Sequence, residues 1–379
     1  MAAEKNNKTL NVPNLRFPEF SGEWEKCTLG DITTNFSLRN KEQIKYPMYS
    51  VTNNRGFVPQ SEQFEDREMM GEDIKAYKII HEGDFAYNPA RINVGSIAKY
   101  SKKDPCMISS LYVCFKAHSN IDKEWMMQLL KTPKMNFYYN VNGEGGVRVY
   151  LFYPNFARIR TSYPSLVEQQ KIAAFLRLLD QRIETQKKII EKYESLIKGL
   201  CEKLYNFTNA SFKRLGELAD INNGDSDVQD AVLDSSQNLY PFFDRSDEIK
   251  FLSNYLFDDE AIIYAGEGSE FYPRYFKGKF ALHQRCYAIT RISHTLTPKY
   301  LYYFCMTQNQ YFIRNSVGST VSSLRLGTFK NLRIPIVSIE TQNHIVSILD
   351  VLSNKLLLEK ELHTIYLQQK RVLLSTLFI

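Results

Sequence analysis

Apolar residues recur in steps of four and three through Ile172, Leu176, Leu179, Ile183, Ile190, Tyr193, Ile197, Leu200 and Leu204, with Gln186 the one break in the run. Heptad spacing held over this length predicts a long helix with a single apolar seam. Ser165, after Pro164, stands in the N-cap position, and Glu168 three residues on completes a capping-box pattern. A second helix is predicted from about Ile339 to Phe378, with Ser338 as cap and Thr341 in place of the acid. Its stripe is less regular. Glu359, His363 and Lys370 fall on seam positions, while Leu358, Leu362 and Ile365 form an adjacent stripe. About 39 residues at ~1.5 Å each make a rod of roughly 58 Å. One such helix alone would fit a buried core. Two of them, each following a globular block, point to a pair packed on each other.

The two helices belong to an internal repeat. At a shift of 173 residues, 145–204 overlies 318–377 without gaps. Gly145 meets Gly318, Leu151 meets Leu324, Phe156 meets Phe329, Gln169 meets Gln342, and Tyr193 meets Tyr366. Thirteen of the sixty positions are identical, where composition alone gives roughly four. Upstream the register drifts. Leu29-Gly30-Asp31-Ile32 resembles Leu215-Gly216-Glu217-Leu218, and Asp122-Lys123-Glu124-Trp125 resembles Thr297-Pro298-Lys299-Tyr300.

The segments ahead of the helices hold short β-rich runs separated by turns. Leu111–Phe115, Ala261–Tyr264 and Cys286–Ile289 read as strands. Asn53-Asn54, Glu82-Gly83-Asp84, Gly266-Glu267-Gly268 and Lys277-Gly278-Lys279 read as turns. Each block carries one shorter helix candidate, Asp122–Leu130 and Pro298–Thr307. The expected fold is α+β: two similar mixed domains, joined by two long antiparallel coiled-coil helices in a pseudo-twofold repeat. The expected boundaries are 1–163 for a leader and first domain, 164–205 for the first long helix, 206–211 for a linker, 212–337 for the second domain and 338–379 for the second long helix.

Composition narrows the function. The chain has 379 residues, enough for two or three domains, and 44% are apolar, enough for sizeable cores. The net charge of +6 is compatible with a polyanionic partner without requiring one. No apolar run approaches the roughly 18–20 residues of a membrane span. The first residues lack the apolar stretch of a secretory signal. A cytoplasmic protein is expected. The six cysteines, Cys27, Cys106, Cys114, Cys201, Cys286 and Cys305, form no Cys-x-x-Cys pair and have no closely spaced histidine. They read as buried reduced thiols rather than a zinc site or disulfide framework.

Catalytic motifs are weak. Gly278-Lys279 is followed by Phe280, so it fails as a phosphate-binding loop. Adenine methyltransferases hold the flipped base with an Asn/Asp-Pro-Pro-aromatic loop. Asn88-Pro89-Ala90-Arg91 lacks the second proline and the aromatic. No catalytic residue and no metal ligand is expected.

Four strings together resemble the specificity (S) subunit of type I restriction–modification enzymes. One helix start reads Pro164-Ser165-Leu166-Val167-Glu168-Gln169-Gln170-Lys171-Ile172, and the other is eroded to Ser338-Ile339-Glu340-Thr341-Gln342-Asn343-His344-Ile345. The leader 12–24 and the segment Gly83–Ser96 resemble the same family, and the likeness covers essentially the whole chain. The resemblance implies that two target-recognition domains each read one half of a split, asymmetric site in double-stranded DNA. It implies that the helix pair fixes the unread spacer and binds two modification (M) subunits. The M subunits would carry S-adenosylmethionine and methylate adenine, so this chain would hold no cofactor and no active site. A restriction (R) subunit, where one joins, would bring ATP and Mg. The alternative is a self-sufficient DNA methyltransferase or nuclease with degenerate motifs.

Phosphates attract Lys and Arg, and base edges are read by Arg, Lys, Asn, Gln, Ser and Thr. In the first domain the candidates are Arg91 and Asn93 beside Asn88 and Ser96, with the Gly145–Tyr150 turn and its Arg148 and Tyr150. In the second, the repeat points to the Gly318–Ser323 turn with Ser319, Thr320 and Ser322, followed by Arg325. Arg274 and Lys277, in an aromatic-rich loop with Tyr272 and Tyr275, and the trio His283, Gln284 and Arg285 complete the set.

Overall fold

The computed structural model describes residues 10–63, 74–145, 149–207, 210–233 and 239–379. The chain forms two compact units. The first comprises Met1–Thr185 with Leu362–Ile379, and the second comprises Gln186–Glu361.

In the first unit, the strand Glu25–Thr28 pairs antiparallel with Arg160–Tyr163, Thr28 opposite Arg160. The chain then turns, and Leu29 N–H donates to the Ile159 carbonyl at 2.9 Å. Gly30 follows because a Cβ there would sit 3.1 Å from the backbone and side chain of Ala157. A four-stranded sheet runs in the order Thr33–Phe36, Val113–Ala117, Phe85–Tyr87, Ile97–Lys99. Helices Lys123–Leu129, Pro133–Asn142 and Tyr153–Ala157 cover it. Asp122 and Thr132 cap the first two by accepting from Trp125 N–H and Met135 N–H.

The second unit repeats the plan. Ser211–Arg214 pairs with Arg333–Ile336, Arg214 opposite Arg333, and Leu215 N–H donates to the Leu332 carbonyl at 2.8 Å. Gly216 lies 3.0 Å from Lys330 by the same measure. Its six-stranded sheet has the order Asp220–Asn223, Cys286–Thr290, Phe257–Ala265, Arg274–Leu282, Tyr240–Phe243, Lys250–Leu252. The first four strands follow the order of the first unit's sheet. Helices Pro298–Met306, Asn309–Arg314 and Leu326–Lys330 complete the unit.

Two helices dominate the chain, Leu166–Leu204 with 39 residues and Ile339–Thr376 with 38. In the first unit, Ile172 and Leu176 of one share a core with Leu373 and Leu377 of the other, beside Phe115, Trp125 and Phe156. In the second, Ile197 and Cys201 share a core with Ile345 and Leu349, beside Tyr264, Tyr300 and Phe312. Within each unit the two helix segments therefore run antiparallel. Each fully buried Leu or Ile contributes about 1.5–3 kcal/mol.

One glutamine per unit fastens the helix start to the globular block. Gln169 is fully buried. Its amide donates to the carbonyls of Pro164 (2.9 Å) and Asn120 (3.2 Å), and its oxygen accepts from Asp122 N–H at 2.8 Å. Gln342, its repeat partner, donates to Val337 and Thr295 at 3.0 Å each and accepts from Thr297 N–H at 2.8 Å. The capping box is only half made at the first helix. Ser165 accepts from Glu168 N–H, but the Glu168 carboxylate turns away to a salt bridge with Arg16 at 2.7 Å and accepts from the Trp24 indole at 3.2 Å. Those partners sit in the leader, which the second copy lacks.

Several expectations are corrected. Lys277-Gly278-Lys279 is not a turn. It lies inside the strand Arg274–Leu282, with Gly278 opposite Asp259 at φ +123°, a conformation open to glycine. The strand read at Leu111 begins only at Val113. Helices Pro133–Asn142 and Asn309–Arg314 add to the one per block expected. Leu358 and Ile365, expected in an apolar stripe, are exposed. Phe137 is exposed too, whereas Tyr139, Tyr300, Tyr303 and Phe304 are buried. All six cysteines are free, but Cys27 is only half-buried.

Candidate nucleic-acid interface

The repeat places a matched pair of loops in each unit. In the first, Glu144 and Tyr150 exchange backbone hydrogen bonds of 2.8 Å in both directions, closing a loop that opens on Gly145 at φ +106°. In the second, Val317 and Ser323 exchange bonds of 2.9 and 2.8 Å around a loop opening on Gly318 at φ +121°. Both glycines need that left-handed conformation to start the turn. Each loop is tethered to the segment leaving a central strand. Leu151 N–H donates to the Pro89 carbonyl at 2.9 Å, and Leu324 N–H to the Gly266 carbonyl at 2.7 Å. In the second unit Gly268 N–H adds a bond to the Ser322 carbonyl at 3.0 Å.

The first unit brings four of its candidates together. Asn88 shapes the loop after Phe85–Tyr87: its side chain accepts from Ala90 N–H at 3.0 Å, and its own N–H donates to the Ser96 carbonyl at 3.0 Å. Arg91 is exposed on that loop. Asn93 donates to Asn140 at 3.0 Å. Tyr150 is 37% exposed and stacks on the exposed Phe152 at 6.2 Å and 11°. Ser96 stands apart: it is 1% exposed and donates its hydroxyl to the Val51 carbonyl at 2.7 Å, so it supports the loop and offers no group to a ligand. Arg148 lies outside the described residues, with Gly146 and Val147.

In the second unit Ser319 and Thr320 are exposed at the loop tip, Ser322 is half-buried, and Arg325 is exposed at the N-cap of Leu326–Lys330. Arg285 is exposed and pairs with Glu267 at 3.1 Å, beside the Gly266–Gly268 segment. Lys277 is committed to a cross-strand pair with Glu260 at 3.5 Å. Arg274 is turned into the unit. One guanidinium nitrogen donates to the Asp244 carbonyl at 2.7 Å, the group lies 5.9 Å from the centre of the Phe243 ring, and its other terminal nitrogen is buried without a partner. A cavity of about 490 Å³ opens beside these segments, and its lining includes Asp227, Asp244, Arg245, Lys250, Glu267, His283, Gln284 and Arg285. Sequence reading missed Asp244, Arg245 and Lys250, since no motif marks them.

Asp244 organises that turn. It is 4% exposed and accepts from Ser246 N–H (2.7 Å), the Ser246 hydroxyl (2.6 Å) and the Lys250 ammonium. Burial pushes its carboxyl up, but hydrogen bonds from Lys250 and Ser246 outweigh that and hold it below the ordinary carboxylate range. The thiols behave oppositely. Burial raises Cys106, Cys114 and Cys305 to about 12 and Cys286 to about 11, so they stay protonated at neutral pH and are poor nucleophiles.

The duplicated units and their paired loops define a class. The family model for the type I restriction modification DNA specificity domain matches residues 21–195 and again 209–365. The chain belongs to this family, the specificity subunits of type I restriction–modification systems. The specificity subunit of the type I restriction enzyme EcoDI from Escherichia coli is 30% identical over 138 residues, or 36% of this chain. That match spans only 30% of the relative's length. The fold matches the type I S subunit of M. genitalium with a TM-score of 0.63 at 14% identity, covering 97% of this chain and 99% of that one. It also matches a chain from a type I R-M system described for its complex assembly and conformational transition. There the TM-score is 0.57 at 15% identity, covering 93% and 96%. Among the described residues, no helix is long and apolar enough to cross a membrane.

Proposed function

We propose that the chain is the DNA-reading subunit of a methyltransferase assembly, recognising a bipartite asymmetric site with one unit per half-site. The observation that carries this reading is the loop pair made twice with different side chains. Asn88, Arg91 and Tyr150 occupy it in one unit, and Ser319 and Thr320 in the other, where Arg285 lies beside it through its pair with Glu267. A repeated scaffold bearing unlike side chains suits two unlike base sequences on one duplex.

The long helices suit two further tasks. Helices of 39 and 38 residues, roughly 58 Å long, are long enough to hold two half-sites about one turn of DNA apart, roughly 34 Å, and in this reading the pair sets the spacer. Val351, Leu358, Ile365 and Val372 recur once per heptad on the second long helix and are all more than half exposed. Lys187, Lys192 and Lys198 are exposed on the first. These surfaces suit two modification subunits, which bring S-adenosylmethionine and perform the methyl transfer. Where a restriction subunit joins, it brings ATP and Mg. In this reading the present chain is not an enzyme and holds no cofactor.

Co-expression with a modification subunit in a host lacking other adenine methylation, followed by long-read mapping of methylated adenines, tests the proposal. A split motif with a fixed unread spacer is expected. A continuous motif, or methylation by this chain alone, would favour the self-sufficient enzyme instead.

A further inference from the structure

Resting on that reading, we infer that Arg245 reads a base edge in the half-site of the second unit, and that Asp244 is its positioning residue. Arg245 is exposed at the rim of the 490 Å³ cavity, on the turn between Tyr240–Phe243 and Lys250–Leu252. The cations around it are committed. Lys250 is taken up by Asp244, Arg285 by Glu267, and Arg274 by the Asp244 carbonyl. Arg245 makes no ion pair among the described residues. Its planar fork of donors matches the paired acceptors O6 and N7 of guanine in the major groove.

The turn that carries Arg245 is fixed in place. Asp244 gathers three donors from Ser246 and Lys250 on its carboxylate, and its carbonyl takes a fourth from Arg274. His283 N–H donates to the Phe243 carbonyl at 2.9 Å, which ties the turn's first strand to the segment carrying Arg285. The Glu267 loop is in turn bonded to the Gly318–Ser323 loop. Arg245 thus shares a rim with the recognition loop through backbone hydrogen bonds. A side chain presented by a rigid turn loses less freedom on binding, which makes it a better reader than a solvated surface arginine.

The test uses the full chain assembled with a modification subunit, once the wild-type motif is known. Initial methylation rates are measured on duplexes in which each base pair of each half-site is replaced in turn. R245A is expected to lose roughly ten- to hundred-fold discrimination at a single G·C position of one half-site, leaving the other half-site untouched. D244N is expected to relax that same position, and D244E to restore it in part, with the other positions unchanged. A uniform fall over all duplexes with a shallower salt dependence would make Arg245 a phosphate contact and overturn the inference. An R245A profile identical to wild type would overturn it too, while leaving the subunit's role intact. Loss of rate at every position in D244N, with no rescue by D244E, would reduce Asp244 to a stabilising residue and overturn its positioning role. Failure of the wild-type assembly to yield a split motif would fall on the functional reading instead.

Discussion

Gln186 and Glu359 are 173 positions apart, occupy the same place in the sequence repeat, and touch each other. The Gln186 amide donates to the Glu359 carbonyl at 3.1 Å and to its carboxylate. The only break in the first seam thus meets one of the irregular positions of the second. In an antiparallel pair a residue meets its own counterpart only at the local dyad of the two helices. A polar pair there can specify register at some cost in stability, as a buried Asn does in a coiled coil. Replacing Gln186 alone by Leu should lower the thermal midpoint, because the Glu359 carbonyl and carboxylate lose the Gln186 donor and Lys355 is left on the carboxylate. The double variant Q186L/E359L should recover that loss or exceed wild type while its helix pairing becomes less unique. Thermal unfolding of the three proteins, with hydrogen exchange along the helices, checks this. A single variant as stable as wild type would refute the account.

The same pair has a pH signature. A hydrogen bond from Lys355, then one from Gln186, holds the Glu359 carboxyl below its ordinary value. A depressed carboxylate contributes stability that is present above the unfolded pKa and lost as pH falls through the lower folded value. The stability gap between wild type and E359Q should therefore be full at neutral pH and close below about pH 4. A gap that persisted in acid would mean that packing, not charge, carries it.

Gln169 and Gln342 are fully buried, and each satisfies two carbonyls and one amide. Substituting either by Ala strands those groups and should cost about 1–3 kcal/mol. Q169A should loosen the first unit and Q342A the second. Hydrogen exchange would show increased opening at Asp122–Leu129 in one case and at Thr297–Met306 in the other. Equal loosening of both units by either variant would contradict the independence of the two locks.

These glutamines also show how far local signals in the sequence reach. Both stand out as repeat identities, and the heptad stripe with Ser165 and Ser338 marks the helix starts to within a residue or two. Such signals are local and periodic. The role of the Glu168 carboxylate escapes them because its partners, Arg16 and Trp24, are more than a hundred residues away in sequence. Gly278 misleads because a glycine between two lysines has the composition of a turn, yet its neighbours pair with Phe257–Ile263. At the candidate interface, loop position is legible through Gly145 and Gly318. The division between supporting side chains such as Ser96 and Arg274 and outward ones such as Arg245 depends on burial that no motif records.

Arg16 grips Glu168 with two nitrogens, at 2.8 and 2.7 Å, and the carboxylate is 2% exposed. Removing one partner of a buried pair leaves an uncompensated charge. R16A should cost about 3 kcal/mol. It should also free the leader, whose Leu15 N–H bonds to the Thr376 carbonyl near the end of the second long helix. Limited proteolysis should then cut within 10–24 faster than in wild type. An unchanged cleavage rate would show that the leader is held by packing of Phe17 on Phe175 instead.

If each unit reads its own half-site, loop substitutions should separate cleanly. Y150A removes an exposed ring stacked on Phe152, T320A alters the second unit's loop, and R325A alters the helix start that follows it. Motif mapping in the assembled complex should show Y150A weakening one half-site, and T320A or R325A the other. Removing a side chain that reads a base edge should cost about 1–3 kcal/mol of discrimination. A variant that degraded both half-sites equally would refute the one-unit, one-half-site division.

The spacer should follow helix length. Inserting seven residues after Gln186 and seven after Glu359 returns each seam to nearly the same face and adds about 10.5 Å, close to three base pairs at ~3.4 Å each. The mapped motif should keep both half-sites and gain about three unread positions. Inserting five residues at each point adds similar length but turns the seam by about 140°. That variant should lose helix pairing and with it methylation. The contrast matters because length alone and length with seam continuity predict different results for the five-residue insertion. Methylation at a lengthened site by both variants would show that the pairing of the helices is not what sets the spacing. An unchanged spacer in the seven-residue variant would show that something other than these helices sets the distance.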